Sequence, residues 1–313
     1  MPAISASAPG KIIIFGEHAV VYGYPAIAVP ISLVKARAFV MADPTGPQGQ
    51  IQIIAPDIGL SSNYKDLPAE HPFAILLSIL GKQLGINRFP AMRIKIKSEI
   101  PIAAGMGSGT AVSVAIIRAV STFLGLSLPD KQISEIAYEV EKSYHDTPSG
   151  IDNTVVAYAQ PIFFIRDQPF ESLIISDPFS IIIAVSGKRS RTSEVVAQVR
   201  KNRAVNKIHS DGIFERISKI TRKARSIIES DKTVKLGPLL NDNHEELRRL
   251  GVSCPELDNL VNAALDAGAL GAKLSGAGQG GNIIALVNEN QAENIRKKLS
   301  YAGATNTILS KIT

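Results

Sequence analysis

The sequence has few of the residues that form disulfides, membrane spans and aromatic nucleic-acid surfaces. Among its 313 residues there is one cysteine, Cys254, no tryptophan, and an aromatic fraction of 5%. A single cysteine excludes an internal disulfide and a multi-cysteine metal site, and it fits a reducing cytoplasm. The longest apolar helix candidate, 111–126, is too short to span a bilayer and is interrupted by Arg118. Residues 1–11 lack a basic leader followed by an apolar stretch, so we expect no signal peptide and no membrane partner.

Positive charge exceeds negative charge, which favours an acidic partner. The 34 Lys and Arg residues outnumber the 28 Asp and Glu residues, and the formal net charge is +6. This balance fits either nucleic acid or a small phosphorylated ligand. The densest basic stretch, 199–226, also carries Ile213, Phe214 and Ile217, which indicates the solvated face of one amphipathic helix. We therefore expect no nucleic-acid partner. The alternative, nucleic-acid binding through this stretch, predicts a steep salt dependence of binding.

The length of the chain suits two domains, and its patterns indicate an α+β fold. Apolar and β-branched runs predict strands in the first half, at 11–16, 25–31, 36–42 and 51–55. The turn-rich residues 43–50 predict that 51–55 returns as the second strand of a hairpin with 36–42. A new block begins with the apolar stretch 177–187. We therefore predict an N-terminal domain at 1–175 and a C-terminal domain at 176–313.

Residues 101–113, PIAAGMGSGTAVS, place three glycines between a predicted strand and a predicted helix. Alternation over 93–100 indicates a half-buried strand, and apolar residues at helical spacing follow from Val112. Glycines let backbone N–H groups approach a ligand closely, and a helix start carries unpaired N–H donors and partial positive charge. The segment therefore predicts a phosphate site, although a plain tight turn has the same pattern. The spacing matches neither a Walker loop nor a dinucleotide fingerprint.

Four segments of the chain are dense in small and polar residues beside apolar ones. They are SAPGKIIIFGEHAVVYG (7–23), PIAAGMGSGTA (101–111), EKSYHDTPSGIDN (141–153) and KLSGAGQGG (273–281). Together they resemble the motifs of the GHMP kinases, which act on galactose, homoserine, mevalonate and phosphomevalonate. Within that superfamily they are most similar to the motifs of the mevalonate kinases. The resemblance spans residues 7–287.

The resemblance implies both a fold and a reaction. The fold is the two-domain α+β GHMP kinase architecture, with a ribosomal-protein-S5-domain-2-like N-terminal domain and a ferredoxin-like C-terminal domain. The reaction is phosphoryl transfer from ATP, with Mg²⁺, to the 5-hydroxyl of mevalonate, a small-molecule acceptor in isoprenoid synthesis. Two alternatives stay open: another GHMP kinase acting on phosphomevalonate, the mevalonate 3-hydroxyl or a sugar, and an inactive nucleotide-binding regulator. A homodimer is also left open.

The resemblance also implies a catalytic pair and a metal ligand. Asp152, in SGIDN, matches the family's catalytic aspartate, which accepts the hydroxyl proton or orients the alcohol. Lys11, in PGK, matches the active-site lysine, whose charge would pair with Asp152 and stabilise the transferring oxygens. Glu141 lies eleven residues before Asp152, which is the spacing of the family's magnesium-ligand glutamate. Without the family resemblance, the simplest interpretation of Glu141 is a surface residue on a predicted helix.

The glycine loop and the C-terminal motif are expected to bind ATP. The residues that match nucleotide-binding positions of the family are Pro101, Ala104, Gly105, Met106, Gly107, Ser108, Gly109, Thr110 and Gly278. Gly109 departs from the family, which usually has a second, magnesium-ligating serine there, so Ser108 is the expected metal ligand and Thr110 the alternative. The glycines within 276–281 are expected to let the C-terminal loop pack closely against the phosphate loop.

Three residues are expected to bind the acceptor. Glu17 and His18, in GEHAVVYG, match the segment that lines the acceptor pocket of mevalonate kinases. A histidine among apolar neighbours is commonly structural, so we expect His18 to bind rather than to act as a base. Thr192, in KRSRTSE, resembles the family's active-site threonine, whose hydroxyl lies near the acceptor. The basic stretch 188–191 would attract an anionic acid, or it is ordinary surface charge.

Overall fold

The computed structural model describes residues 3–143, 148–230 and 232–313, which form two compact units. The first unit consists of the segment ending at Lys11, Pro30–Pro101 and Gly107–Ala159. The second unit consists of Ile12–Val29, Ile102–Met106 and Gln160–Thr313. The boundary after residue 175 stays a prediction. Residues 144–147 of the motif EKSYHDTPSGIDN lie outside the described residues.

Strands and helices alternate irregularly along the described parts of the chain. The strands are β1 (Ile4–Phe15), β2 (Ala26–Ala42), β3 (Ile51–Ala55), β4 (Leu60–Asn63), β5 (Met92–Ser98), β6 (Ile162–Phe164), β7 (Glu171–Ser172), β8 (Phe179–Val185), β9 (Gly271–Ser275), β10 (Asn282–Val287) and β11 (Asn306–Ile312). The helices are α1 (Pro72–Gln83), α2 (Ser108–Phe123), α3 (Asp130–Lys142), α4 (Ile151–Tyr158), α5 (Thr192–Val205), α6 (Lys207–Ile228), α7 (Leu236–Arg249), α8 (Pro255–Asp266) and α9 (Ala292–Tyr301).

The first unit contains strands in the order β4–β3–β5–β2. β5 pairs antiparallel with β2, from Ala36 opposite Ser98 to Ala42 opposite Met92, and parallel with β3 on its other side. The predicted hairpin between 36–42 and 51–55 is therefore wrong, because β5 lies between these two strands. The turn at 43–50 was predicted correctly. The alternating pattern of β5 predicts a strand, but only the tertiary structure shows that this strand pairs on both of its edges.

Helices α1 to α4 pack against one another in this unit, and α2 also packs on β5. Helix α3 shows why they do so, since Ile133, Ile136, Ala137 and Val140 recur at helical spacing and are buried. Strand β5 buries Met92, Ile94 and Ile96 in the same way, with period two. These apolar faces form the core on which the start of α2 and both candidate carboxylates lie.

The second unit contains an antiparallel four-stranded sheet in the order β11–β8–β10–β9. One face packs on helices α5 to α9, and its core includes Ile182, Leu274 and Ile283. Strand β9 is one of the two edge strands, and α7 covers two of its free N–H groups. Asn241 Oδ1 accepts a hydrogen bond from Ala272 N at 2.9 Å, and His244 Nδ1 accepts one from Leu274 N at 3.3 Å. The exposed edge is thereby closed to further pairing.

The basic stretch 199–226 forms parts of two helices, α5 and α6, rather than the single helix predicted. The chain breaks at Asn206, whose side-chain oxygen accepts a hydrogen bond from His209 N and caps α6. Ile213, Phe214 and Ile217 of α6 are buried, as the amphipathic pattern predicts. Among the described residues, no helix combines the length and apolarity needed to cross a bilayer.

Candidate active site

The loop before α2 turns through residues with positive φ. Ala103, Gly105 and Gly107 have φ of 56°, 76° and 70°, and α2 begins at Ser108 directly after the last of them. Within the described chain, no side chain caps this helix start. Its first N–H groups are therefore available to a ligand, and the helix dipole favours an anion there.

Lys11 and Asp152 form an ion pair beside this loop, in the first unit. Lys11, on β1, is buried, and its Nζ lies 3.0 Å from Oδ1 of Asp152, in the first turn of α4. Gly107 makes room for the lysine, since a Cβ at position 107 would lie 2.9 Å from Lys11 Cγ. Gly150, also with positive φ, begins the turn into α4. The structure thus brings the loop glycine, the lysine and the aspartate together from three distant parts of the sequence.

Glu141 and Thr110 form a buried contact in the same unit. Glu141 lies in the last turn of α3, and one of its carboxylate oxygens accepts a hydrogen bond from the Thr110 hydroxyl. Burial, with the nearby charge of Asp152, raises the pKa of Glu141 to about 8. Glu141 is therefore not the surface residue that its helix suggests. A buried carboxyl beside a second carboxylate is an environment that a cation would stabilise.

Arg118 links the elements that hold Asp152, a role that the sequence patterns did not predict. From α2, its guanidinium donates to Ser7 O at 3.1 Å, to Asp130 Oδ1 at 2.8 Å and to Ala157 O at 2.5 Å. It therefore links β1, the start of α3 and the end of α4. The sequence did contain a signal for this role, namely one arginine inside an otherwise apolar helical run. A half-buried cation needs several acceptors, so such an arginine indicates contacts with neighbouring elements.

In the second unit, the C-terminal glycine loop packs against residues 102–106. Asn282 Nδ2 donates to Ala104 O, and a Cβ at Gly276 would lie 3.6 Å from Gly105 O. The ATP-binding candidate Gly278 has a different neighbour, because a Cβ there would collide with Val252 O. Of the predicted ATP-binding residues in this unit, Ala104 and Gly105 therefore contact the C-terminal motif directly.

Glu17 and His18 are both buried in the second unit. Glu17 pairs with Lys273 of β9, a contact that the sequence did not predict. His18 has φ of 61°, and its Nε2 donates to Ala277 O at 2.8 Å. Burial lowers the pKa of His18 to about 4, against the raising effect of that hydrogen bond, and Lys273 lowers it further. His18 is therefore neutral at pH 7, as expected for a binding or structural residue.

Thr192 is the exposed first residue of α5, in the second unit. Of the basic residues beside it, Lys188 pairs with Glu256 at 3.0 Å and Arg191 with its neighbour Glu194 at 2.9 Å. Two of the basic residues beside Thr192 are thus paired with carboxylates of the same unit.

A cavity of about 390 Å³ lies beside α5 in the second unit. Its walls include Arg189 and Arg191, apolar residues of α5, and residues 250–252. Gln279, with φ of 55°, also lines it and donates to the carbonyl oxygens of Gly251 and Ser253. Gln279 thus has a structural role, since its side chain fixes the loop.

No group of three or more His, Cys, Asp or Glu side chains with metal-binding geometry occurs among the described residues. The metal candidates Glu141 and Ser108 therefore form at most a site of few protein ligands, in which a ligand phosphate and water would complete the shell. This donor set of oxygens fits Mg²⁺ rather than Zn²⁺. Cys254 is buried, and burial raises the pKa of its thiol, so it is a poor nucleophile.

Two family models match the sequence. The model described as "GHMP kinases N terminal domain" matches residues 73–160, and the model described as "GHMP kinases C terminal" matches residues 228–305. The first match includes the phosphate loop, Glu141 and Asp152. The second includes Lys273 and the C-terminal glycine loop.

Individual relatives match almost the whole chain. A mevalonate kinase from Thermococcus sibiricus is 38% identical over 328 residues, covering 99% of this chain and 96% of its own. A mevalonate kinase from Thermococcus gammatolerans is 39% identical over 321 residues, covering 96% of this chain and 94% of its own. The solved structure of L. major mevalonate kinase in complex with R-mevalonate superposes with a TM-score of 0.84, at 27% identity, over 99% of this chain and 95% of that one.

Proposed function

Because the chain belongs to the GHMP kinase family, we propose that it transfers the γ-phosphoryl group of ATP to the 5-hydroxyl of mevalonate. The product is 5-phosphomevalonate, a precursor for isoprenoid synthesis. The observation that carries the proposal is the convergence of Lys11, Asp152 and Gly107 at the start of α2. Phosphoryl transfer requires a phosphate cradle, a compensating cation and a group that orients the alcohol, and these three features supply them.

The start of α2 binds the phosphates of ATP. Its uncapped N–H groups and the partial charge of the helix dipole face the end of the loop, where Gly107 brings the backbone close to the ligand. The loop residues from Pro101 to Thr110 and Gly278 form the nucleotide site in this proposal. The peptide N–H groups need no reorganisation during the reaction, which is how such a cradle lowers a barrier.

Asp152 and Lys11 act on the acceptor hydroxyl and the transferred group. A carboxylate of Asp152 accepts the hydroxyl proton, or orients the alcohol for in-line attack. The ammonium of Lys11, 3.0 Å away, pairs with that carboxylate and stabilises the charge on the transferring oxygens. Lys11 is buried, so its charge acts with little screening by water.

Glu141 and Ser108 would hold Mg²⁺. The buried carboxyl of Glu141, with its raised pKa, lies in an environment that a divalent ion would satisfy, and the Thr110 hydroxyl orients it. Mg²⁺ at this position supplies charge neutralisation of the phosphates when bound. Thr110 already donates to Glu141, which leaves Ser108 as the hydroxyl next to the helix start.

Glu17, His18 and Thr192 bind the acceptor in this proposal. His18 is neutral, so its ring would orient the substrate by hydrogen bonding rather than by charge. Arg189, near Thr192, provides a cation for the carboxylate of an acidic substrate. We place the activity in the cytoplasm, on ATP and a small molecule, with no nucleic acid or membrane and with a homodimer left open.

A panel of acceptors tests the proposed function. The purified protein is incubated with ATP and Mg²⁺ and, in turn, with mevalonate, phosphomevalonate, galactose and homoserine, and ADP release is measured. We expect turnover with mevalonate, and ³¹P–¹H NMR correlation of the product should place phosphate on the 5-hydroxyl. Turnover only with another acceptor would identify a different GHMP kinase. ATP binding without turnover on any acceptor would indicate the regulatory alternative.

A further inference from the structure

Strand β9 and the loop that follows it hold the segment 13–18 by three contacts at every second residue. Lys273 Nζ donates to Glu17, Ser275 Oγ donates to Ile13 O at 2.7 Å, and Ala277 O accepts from His18 Nε2 at 2.8 Å. Alternate residues of a strand point to one face, so Lys273 and Ser275 lie opposite the helix-packed core of the same unit. All of these residues belong to the second unit.

Lys273 is buried completely, in a way that a lysine rarely is. Its relative exposure is 0%, that of Glu17 is 1%, and its Nζ also donates to Leu274 O. Burial lowers the pKa of Lys273, while Glu17 acts in the opposite direction. The two nearby histidines carry no charge at neutral pH, because burial lowers the pKa of both His18 and His244 to about 4. Glu17 is therefore the anion that compensates this lysine.

Such a pair is a poor means of gaining stability. Burying an ammonium and a carboxylate costs several kcal/mol per ion, and a well-packed apolar pair of the same volume is often as stable or more stable. A buried ion pair also restrains geometry, because separating two buried charges costs free energy. The segment that it fixes carries His18 in the left-handed region, a conformation that costs a non-glycine residue energy and needs support from its surroundings.

We propose that Lys273 is a positioning residue for acceptor binding. It holds the carboxylate of Glu17, and with the Ala277 hydrogen bond it fixes the strained corner at Glu17 and His18 in the conformation that receives the substrate. The proposal rests on the proposed function only in the identity of the acceptor. It assigns to KLSGAGQGG a second role besides approach to the phosphate loop, namely control of the acceptor segment through its first residue.

Three variants test this role: Lys273→Met, the double variant Glu17→Gln/Lys273→Met, and Leu274→Ala as the matched control. Leu274 is the next residue of β9 and is buried in the helix-packed core, so its truncation destabilises the unit without touching Glu17. Lys273→Met should raise the KM for mevalonate at least about tenfold and leave the KM for ATP within about twofold. The double variant should regain thermal stability relative to Lys273→Met but keep the raised KM.

The control and a second measurement make the result decisive. Leu274→Ala should lose thermal stability and keep the acceptor KM of the wild type. The ¹⁵N resonances of the His18 ring, which need no turnover, should shift in Lys273→Met and stay in place in Leu274→Ala. Equal acceptor KM in Lys273→Met and Leu274→Ala, with unshifted His18 resonances, would overturn the proposal. A wild-type protein inactive on mevalonate would refute the proposed function instead, and the His18 resonances would still decide the role of Lys273.

Discussion

Gly107 is the residue whose replacement tests the phosphate loop most sharply. Its φ of 70° is unfavourable for any residue with a Cβ, and a Cβ there would lie 2.9 Å from Lys11 Cγ and 3.2 Å from Lys11 Cε. Normal carbon–carbon contact is about 3.5–4.0 Å, so Gly107→Ala forces the lysine to move by about 0.6–1 Å. That shift disturbs the 3.0 Å pair with Asp152.

The expected loss can be divided between backbone and side chain. The left-handed conformation costs alanine about 1–2 kcal/mol of fold stability. Displacing a catalytic group by about 1 Å can cost on the order of a hundredfold in rate, so we expect kcat to fall about 10–100-fold. Gly125→Ala is the matched control, because Gly125 has φ of 78° just beyond the other end of α2, and a Cβ added there would meet no atom of the described chain within 4 Å beyond its sequence neighbours.

The two variants should lose similar stability in chemical unfolding, but only Gly107→Ala should lose kcat in the ADP-release assay. If Gly107→Ala kept kcat within about threefold of Gly125→Ala, the close approach of the loop to Lys11 would have no catalytic role.

Two further predictions concern the metal site and the buried histidines. Thr110→Val removes the hydroxyl that donates to Glu141 and should raise the Mg²⁺ concentration for half-maximal activity several-fold. Thr122→Val is the control, because Thr122 is exposed on the same helix. Equal Mg²⁺ titrations of the two variants would contradict a role of the Thr110–Glu141 contact in metal binding. The pKa values of His18 and His244 are lowered from 6.5 to about 4, so the unfolded state binds more protons between these pH values and stability falls as pH decreases through this window, by about 3 kcal/mol per histidine. In urea unfolding between pH 7 and pH 4, His244→Gln should therefore lose about 3 kcal/mol less stability than the wild type, and the same pH dependence in both proteins would contradict the burial of the His244 ring.

Local patterns predicted the elements better than their pairing. The strand at 93–100 and the helix after the glycine loop were correct, because alternation and helical spacing are properties of short segments. The hairpin between 36–42 and 51–55 was wrong, since no local signal shows that β5 enters between them. The break at Asn206 was also missed, although an asparagine that can cap a helix was visible in the sequence.

Residues of the candidate site could be predicted only where they lie in the motifs that resemble the family. The Lys11–Asp152 contact joins residues 141 positions apart in sequence (152 − 11), and the resemblance, not spacing, suggested it. A glutamate on a helix is ordinarily a surface residue, whereas the structure buries Glu141 against Thr110. The Lys273–Glu17 pair was not predicted. A lysine in an apolar strand suggests a solvent-exposed position at the edge of a sheet, and only the structure shows its partner. A buried charged residue departs from the rule that charged side chains lie at the surface. Its burial and its partner are therefore set by tertiary structure and not by the local sequence.

A double-mutant cycle on Lys11 and Asp152 tests the central claim most directly. The kcat of Lys11→Met, Asp152→Asn and the double variant is measured with saturating ATP and mevalonate, and ATP binding is measured separately by calorimetry. If the pair acts as one unit at the start of α2, each single change should lower kcat by about 10²–10⁴-fold, and the double variant should be little worse than the poorer single variant, with ATP still bound. Losses that multiply in full in the double variant, or an Asp152→Asn protein with nearly wild-type kcat, would contradict the account.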